Sequence, residues 1–291
     1  MRSVSSRCEE VLVVARHRGT YQENHPEPYE LSRSRIESFV KCPGCFWLDR
    51  VKGVKFPSIP AFLLNSATDT LLKKDFDTYR LKQEPHPLMG RHGLERLVPF
   101  QHPDFELWTK SLQLGLRTYH EKTNLIVGGG LDDVWQNIDT GQLHIVDYKS
   151  TASGKGKSVS LEGHYKKAYK RQMDVYQWIL RRSGFDVSNT GYFVYVDGDQ
   201  HGQDGMLVSD RDAATMHFSV SLLSYQGNDD WVESVLVDIN RTLKQKSCPP
   251  HSKSGYGYKG DEPCEYERFL NQAQTASAPT TVEPGANLSL F

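Results

Sequence analysis

Apolar positions along this 291-residue chain switch period near residue 121. Before that point the spacing is helical, at three to four residues. Ser34-x-x-Glu37 reads as a capping box opening a short helix, with Ile36, Phe39 and Val40 inward. Pro43 and Gly44 interrupt it, and Phe46, Trp47, Leu48 and Val51 resume the pattern up to Gly53. Ala61 to Arg80 predicts a second helix packed through Leu64, Ala67, Leu71, Leu72, Phe76 and Tyr79. Glu84 to Pro103 reads as a loop. Asp104 to His120 predicts a third helix carrying Phe105, Trp108, Leu112, Leu116 and Tyr119.

Beyond residue 121 the pattern becomes that of strands. Leu125 to Val127, Leu131 to Ile138 and Leu143 to Asp147 are expected strands, with Asp139-Thr140-Gly141 turning the last two into a hairpin. Leu161 to Arg182 predicts a long helix closed by Gly184. Gly191 to Val196 returns as a buried strand, and Met206 to Val208 and Met216 to Val220 are further strand candidates. A final helix is expected from Trp231 to Lys244, with Val232, Val235, Leu236, Ile239 and Leu243 inward. Residues 1–30, polar apart from the short apolar run at Val11, read as a mobile arm, with one strand in it as the alternative. Residues 271–291 are rich in Ala, Thr, Pro and Ser and read as a disordered tail.

Composition narrows the class. The chain is 37% hydrophobic and 24% charged, as expected of a globular protein. It has no apolar run near the roughly 18 residues a membrane helix needs. The run at Val11 follows Glu9 and Glu10 and is too short for a secretory signal, so a cytoplasmic location is expected. A formal net charge of −1 means that any nucleic-acid surface must be local. Lys155, Lys157, Lys166, Lys167, Lys170 and Arg171 form such a cluster, against Glu162 and Asp174. The competing reading is a solvated helix face. Five cysteines, an odd number, argue against a disulfide framework. Cys42-Pro43-Gly44-Cys45 has metal-type or redox-type spacing, and Cys248 and Cys264 stand near the other end.

The chemistry concentrates in Ile145-Val146-Asp147-Tyr148-Lys149. Strand alternation puts Asp147 and Lys149 on one face. Gly129-Gly130-Leu131-Asp132-Asp133-Val134 offers a second carboxylate at a neighbouring strand end. Two carboxylates can hold a hard cation such as Mg²⁺ or Mn²⁺, and a lysine beside them suits phosphodiester hydrolysis. Asp132 and Asp133 face opposite ways, so only one should reach the ion. On the following helix Gln172 and Tyr176 are four apart and share a face, which Tyr165 and Tyr169 extend.

These segments resemble the PD-(D/E)XK nuclease superfamily, RecB-like branch. Gly129-x-Leu131-Asp132-x-Val134 is similar to its Gly-x-hydrophobic-Asp motif, Asp147-Tyr148-Lys149 to its Asp-x-Lys motif, and Gln172-Met173-Asp174-Val175-Tyr176 to its Gln-x-x-x-Tyr motif. The likeness spans about Ser32 to Cys264. It implies an α/β, restriction-endonuclease-like core, a mixed central sheet flanked by helices, with a helical N-terminal part. Residues 31–270 would form this domain. Asp132 and Asp147 would bind the metal with the Tyr148 carbonyl, and Lys149 would position or deprotonate water. Gln172 and Tyr176 would orient Lys149 and the scissile strand. Asp132 is the register's choice over Asp133.

The chain departs from the family in two places. Where members carry a His or Glu on an early helix, this chain has Asn65-Ser66-Ala67-Thr68-Asp69, so Asp69 either takes that ligand role or is a surface carboxylate. Some members, AddB-type and CRISPR adaptation nucleases among them, hold an iron–sulfur cluster with one cysteine before the core and three after. Here the available set is Cys42, Cys45, Cys248 and Cys264, which could hold [4Fe–4S], hold Zn²⁺, or simply pack. The terminal Asn287-Leu288-Ser289-Leu290-Phe291 looks like a bacterial sliding-clamp peptide anchored by Leu288, Leu290 and Phe291. The expectation is a metal-dependent deoxyribonuclease of DNA repair, recombination or replication, acting on single strands or duplex ends, with a clamp or a helicase as partners. Two alternatives are a catalytically inactive DNA-binding or clamp-associated adaptor and a redox or zinc protein organised by Cys42 and Cys45.

Overall fold

A computed structural model describes residues 17–55, 62–110, 115–154, 158–202, 205–207, 211–252, 264 and 267–268. The expectations for Lys155, Lys157, Leu288, Leu290 and Phe291, and for the run at Val11, lie outside the described residues. The chain is mixed α/β, with two sheets flanked by helices.

The larger sheet has five strands in the order β2 (Leu97–Pro99), β5 (Asp133–Asn137), β6 (Leu143–Thr151), β7 (Thr190–Gly198) and β8 (Phe218–Gln226). β5 and β6 form the expected hairpin. β6 and β7 are parallel, joined by a crossover through helix α6 (Lys166–Arg182). The smaller sheet has the order β1 (Tyr29–Ser32), β4 (Leu125–Gly129) and β3 (Leu116–His120), with β1 parallel to β4.

The pleat of β6 divides the core in two. Leu143 and Ile145 pack towards α6, against Met173, Val175 and Tyr176. Val146 and Tyr148 face the other way, against Phe76 of α3 (Leu63–Lys82), Leu88 and Trp135. Period-two alternation therefore sends Asp147 and Lys149 to the α6 side and Tyr148 to the α3 side. Helices α1 (Arg33–Lys41), α2 (Pro43–Arg50) and α7 (Asp230–Leu243) complete the α6 side, with Val232, Leu236, Ile239 and Leu243 buried as expected.

Several elements differ from the sequence reading. The expected third helix is a short helix, α5 (Phe105–Thr109), followed by strand β3. The helix already stops at Thr109, with Lys110 as its C-cap, and Gly115 has a φ of 62° just before β3. Leu116 and His120 then go inward because β3 pairs antiparallel with β4. The expected loop at 84–103 contains α4 (Pro87–Arg91) and β2. Residues 17–32 are not an arm: His17 and Tyr29 are buried, and β1 completes a sheet. The Ser34–Glu37 capping box does not form. The helix is entered at Ser32 without a side-chain cap, and Glu37 turns away to Arg171. On α3, Phe76 is buried as expected, but Leu64 and Leu71 are exposed, and Thr68 and Arg80 extend the buried line. α6 begins at Lys166, not Leu161, and β8 begins at Phe218. Among the described residues no helix is long and apolar enough to cross a membrane.

Candidate functional site

The mouth of the β5–β6 hairpin gathers the carboxylates. Asp132 sits just before β5, and its Oδ2 accepts the Tyr148 backbone N–H at 2.9 Å. Asp132 is therefore fastened beside the β6 segment that bears Asp147. Burial, reinforced by the nearby charge of Asp147, raises the Asp132 pKa to about 6. Asp147 is 2% exposed. Neither of its oxygens accepts a well-directed hydrogen bond, and the Lys149 ammonium presses against one of them. Lys149 also donates to the Tyr148 carbonyl at 3.3 Å and lies 4.8 Å from the Tyr169 ring centroid.

Asp133 has a separate task. It is fully buried on the α3 side, where Oδ1 accepts from Arg80 at 2.6 Å and Oδ2 from the Tyr148 hydroxyl at 2.6 Å. Arg80 also donates to the Phe100 carbonyl and lies over the Phe105 ring. This network holds β5, β6 and α3 together directly beneath the carboxylate pair. Adjacent aspartates thus point to opposite faces, one to the open mouth and one to a closed ion pair.

Asp69 is half-buried and accepts from Lys73 at 2.8 Å, one turn along α3. Lys73 in turn stands 3.7 Å from Asp132, so Asp69 is linked to the carboxylates through this lysine. The sequence reading missed Lys73. Its i,i+4 spacing from Asp69 was visible, but the packing of α3 against β6 that brings it to Asp132 was not. The Thr68 and Ser150 hydroxyls touch at this packing seam.

On α6 the expected roles shift by a turn. Tyr176 donates to the Gly130 carbonyl at 2.6 Å, and burial raises its pKa to about 12. It braces the loop leading into Asp132 and does not bond Lys149. Gln172 is buried, and its amide takes no hydrogen bond from another described residue. Tyr169 is the α6 side chain against Lys149.

The basic cluster also divides. Lys166 is buried, not a solvated contact: it donates to the Tyr195 hydroxyl at 2.7 Å and lies among the rings of Tyr165, Tyr169 and Tyr195. Burial, then the charge of Lys149, lowers its pKa. Arg171 is committed to a two-bond pair with Glu37 that ties α6 to α1. Lys167 and Lys170 remain towards solvent, beside a hollow of about 590 Å³ that also includes Asp174, Tyr225 and Trp231.

A second group lies at the start of α2. Cys42, Cys45, His251 and Cys264 bring their ligand atoms within 4.8 Å of one another and could hold a metal ion. Cys248, expected in that set, is exposed and stands outside it, its sulfur 3.9 Å from His251 Nε2. His251 takes the fourth place. The Cys248-x-x-His251 spacing was the available signal, since metal sites accept imidazole as readily as thiolate.

No family model matches this chain, and no curated protein matches it. A solved structure described as the crystal structure of SSO0001 is similar over 79% of this chain and 81% of that one, at 14% identity and a TM-score of 0.29. That likeness is too loose to bear on fold or function.

Proposed function

We propose that this chain is a divalent-metal-dependent nuclease of the PD-(D/E)XK type that hydrolyses phosphodiester bonds in DNA. The observation that carries this reading is Asp147: a carboxylate buried at the hairpin mouth, without hydrogen bonds, beside Asp132 and Lys149. The Lys149 ammonium offsets part of the cost of that burial, and the raised pKa of Asp132 beside Asp147 marks a pair of carboxylates that a divalent cation would stabilise further. The donor atoms fit Mg²⁺ or Mn²⁺, since Asp132, Asp147 and the Tyr148 carbonyl are hard oxygens. Such an ion, when bound, supplies Lewis acidity towards the phosphate and acidifies water.

The chain's own groups divide the remaining work. Lys149 presents its ammonium on the face of Asp147, where it stabilises negative charge on phosphate oxygens. Lys166 adds a second ammonium in the same aromatic enclosure, with no carboxylate partner among the described residues. Tyr176 fixes the Gly130 loop and, through it, Asp132. Lys167 and Lys170 meet the backbone outside the mouth, which favours end or structure preference over sequence reading.

Lys73 supports a second reading. With Lys73 near Asp132 and Lys149 against Asp147, both carboxylates already have a cationic neighbour, as a non-catalytic DNA-binding relative would require. Labelled single- and double-stranded DNA, incubated with Mg²⁺ or Mn²⁺, separates the two. The nuclease cleaves, and Asp147→Ala and Lys149→Ala each lose at least about a hundredfold in rate. DNA binding without cleavage in the unaltered protein rejects the enzyme and supports the adaptor.

A further inference from the structure

We propose that Cys42, Cys45, His251 and Cys264 hold a single tetrahedral Zn²⁺, and that this ion, not an iron–sulfur cubane, clasps the chain's early helices to its late segment. The inference is independent of the carboxylate site.

Spacing decides between the two. His251 Nδ1 lies 3.5, 3.3 and 3.2 Å from the sulfurs of Cys42, Cys45 and Cys264, and the last two sulfurs are 3.1 Å apart. One zinc with bonds of about 2.3 Å to sulfur and 2.0 Å to nitrogen needs donor separations of roughly 3.5–3.8 Å. A cubane gives each ligand its own iron and holds the donors roughly 6 Å apart. All four donors lie within 4.8 Å of one another, well inside a cubane's span and near that of a single ion. Three thiolates and an imidazole are also a common closed set for structural zinc.

The surroundings suit such a centre. Cys42 and Cys264 are fully buried, and Cys45 nearly so. Backbone N–H groups of Cys45 and Ser252 donate to the Cys42 sulfur at 3.4 and 3.3 Å, and that of Glu267 to the Cys264 sulfur at 3.4 Å. N–H donors of this kind offset thiolate charge and orient ligands. Gly44 makes the approach feasible: a Cβ there would lie 2.8 Å from the Pro249 carbonyl and 3.0 Å from the His251 ring. Cys248 faces the far ring nitrogen of His251 and is an outer neighbour, not a ligand.

The test is metal analysis of the full-length protein, purified both anaerobically and in air. One zinc per chain with no iron, no acid-labile sulfide and no visible absorption is expected. Cys248→Ser should keep its zinc, and His251→Ala should lose it. His251→Cys, which restores a fourth ligand, should retain zinc even if His251→Ala fails to fold. Removing the ion with a chelator should lower the melting temperature by roughly 10 °C. Stoichiometric iron and sulfide, loss of metal in Cys248→Ser, a Cys45–Cys264 disulfide, or a metal-free protein would each overturn the proposal.

Discussion

Tyr176 rests on Gly129 so closely that the glycine cannot carry a side chain: a Cβ there would lie 2.8 Å from the Tyr176 hydroxyl and 2.9 Å from its ring. The same hydroxyl bonds the Gly130 carbonyl, so helix α6 is seated directly on the loop that delivers Asp132. Gly129→Ala should push the ring away and cost about 1–3 kcal/mol. Tyr176→Phe, which keeps the ring and drops the bond, should cost about 1 kcal/mol. Urea unfolding of the two variants checks the order.

The neighbouring aspartates should respond in opposite ways. Asp133→Ala leaves Arg80 Nη2 and the Tyr148 hydroxyl without their acceptor in the core, with Asp77 still holding Arg80 Nε, and a loss of about 3 kcal/mol is expected. Asp132→Asn removes a carboxylate whose charge is disfavoured by burial, so stability at pH 7 in a chelator should hold or rise. Cleavage by that variant should disappear. A denaturation series with both proteins, read beside a DNA cleavage assay, settles whether the two positions are separable.

A pH difference follows from the raised pKa of Asp132. A carboxyl whose folded pKa lies above its unfolded value binds its proton more tightly when folded. It stabilises the metal-free fold below the unfolded value, near pH 4, and that contribution fades as pH rises through about 6. Melting temperatures of the wild type minus those of Asp132→Asn, in a chelator, should therefore fall between pH 4 and pH 6 and then level off. A difference that rises across that window contradicts the burial argument.

Glu30 shows the reverse sign. Burial pushes its pKa up, but hydrogen bonds from Arg18 and Arg117 outweigh that and hold it below the ordinary value. Its contribution is present above the unfolded value, near pH 4.5, and is lost as pH falls through the lower folded value. Glu30→Gln should destabilise by roughly 1 kcal/mol at neutral pH, and should flatten the acid limb of the stability curve. Thermal melts from pH 2.5 to 7 are the measurement.

Lys166 and Lys167 are adjacent in sequence and should differ in assay. Lys166→Met removes a buried ammonium packed against three tyrosines, and stability should change little because the methionine fills the same enclosure. Its kcat on DNA should fall roughly tenfold to a hundredfold. Lys167→Met should leave kcat alone and flatten the salt dependence of binding. Equal effects on kcat would remove Lys166 from the site.

The sequence made some of this legible because certain patterns are local. The β5–β6 hairpin, the same-face pair Asp147 and Lys149, and the opposed directions of Asp132 and Asp133 all follow from strand alternation within a short window. The helix expected at 104–120 failed because Leu112, Leu116 and Tyr119 mimic helical spacing, while pairing with the partner strand β4 decides otherwise for 116–120. Lys73 and His251 escaped notice for a related reason. Each reaches its group through packing between elements distant in the chain. The burial of Lys166 was equally invisible, since it depends on Tyr195 from a strand formed after α6.

The order in which the pieces occur has a consequence for biosynthesis. Every carboxylate, lysine and tyrosine of the hairpin mouth precedes residue 200, whereas two partners of Cys42 and Cys45 arrive only with His251 and Cys264. Until synthesis passes position 264, Cys42 and Cys45 are without these two partners. Completion of the thiol–imidazole quartet therefore marks translation through position 264.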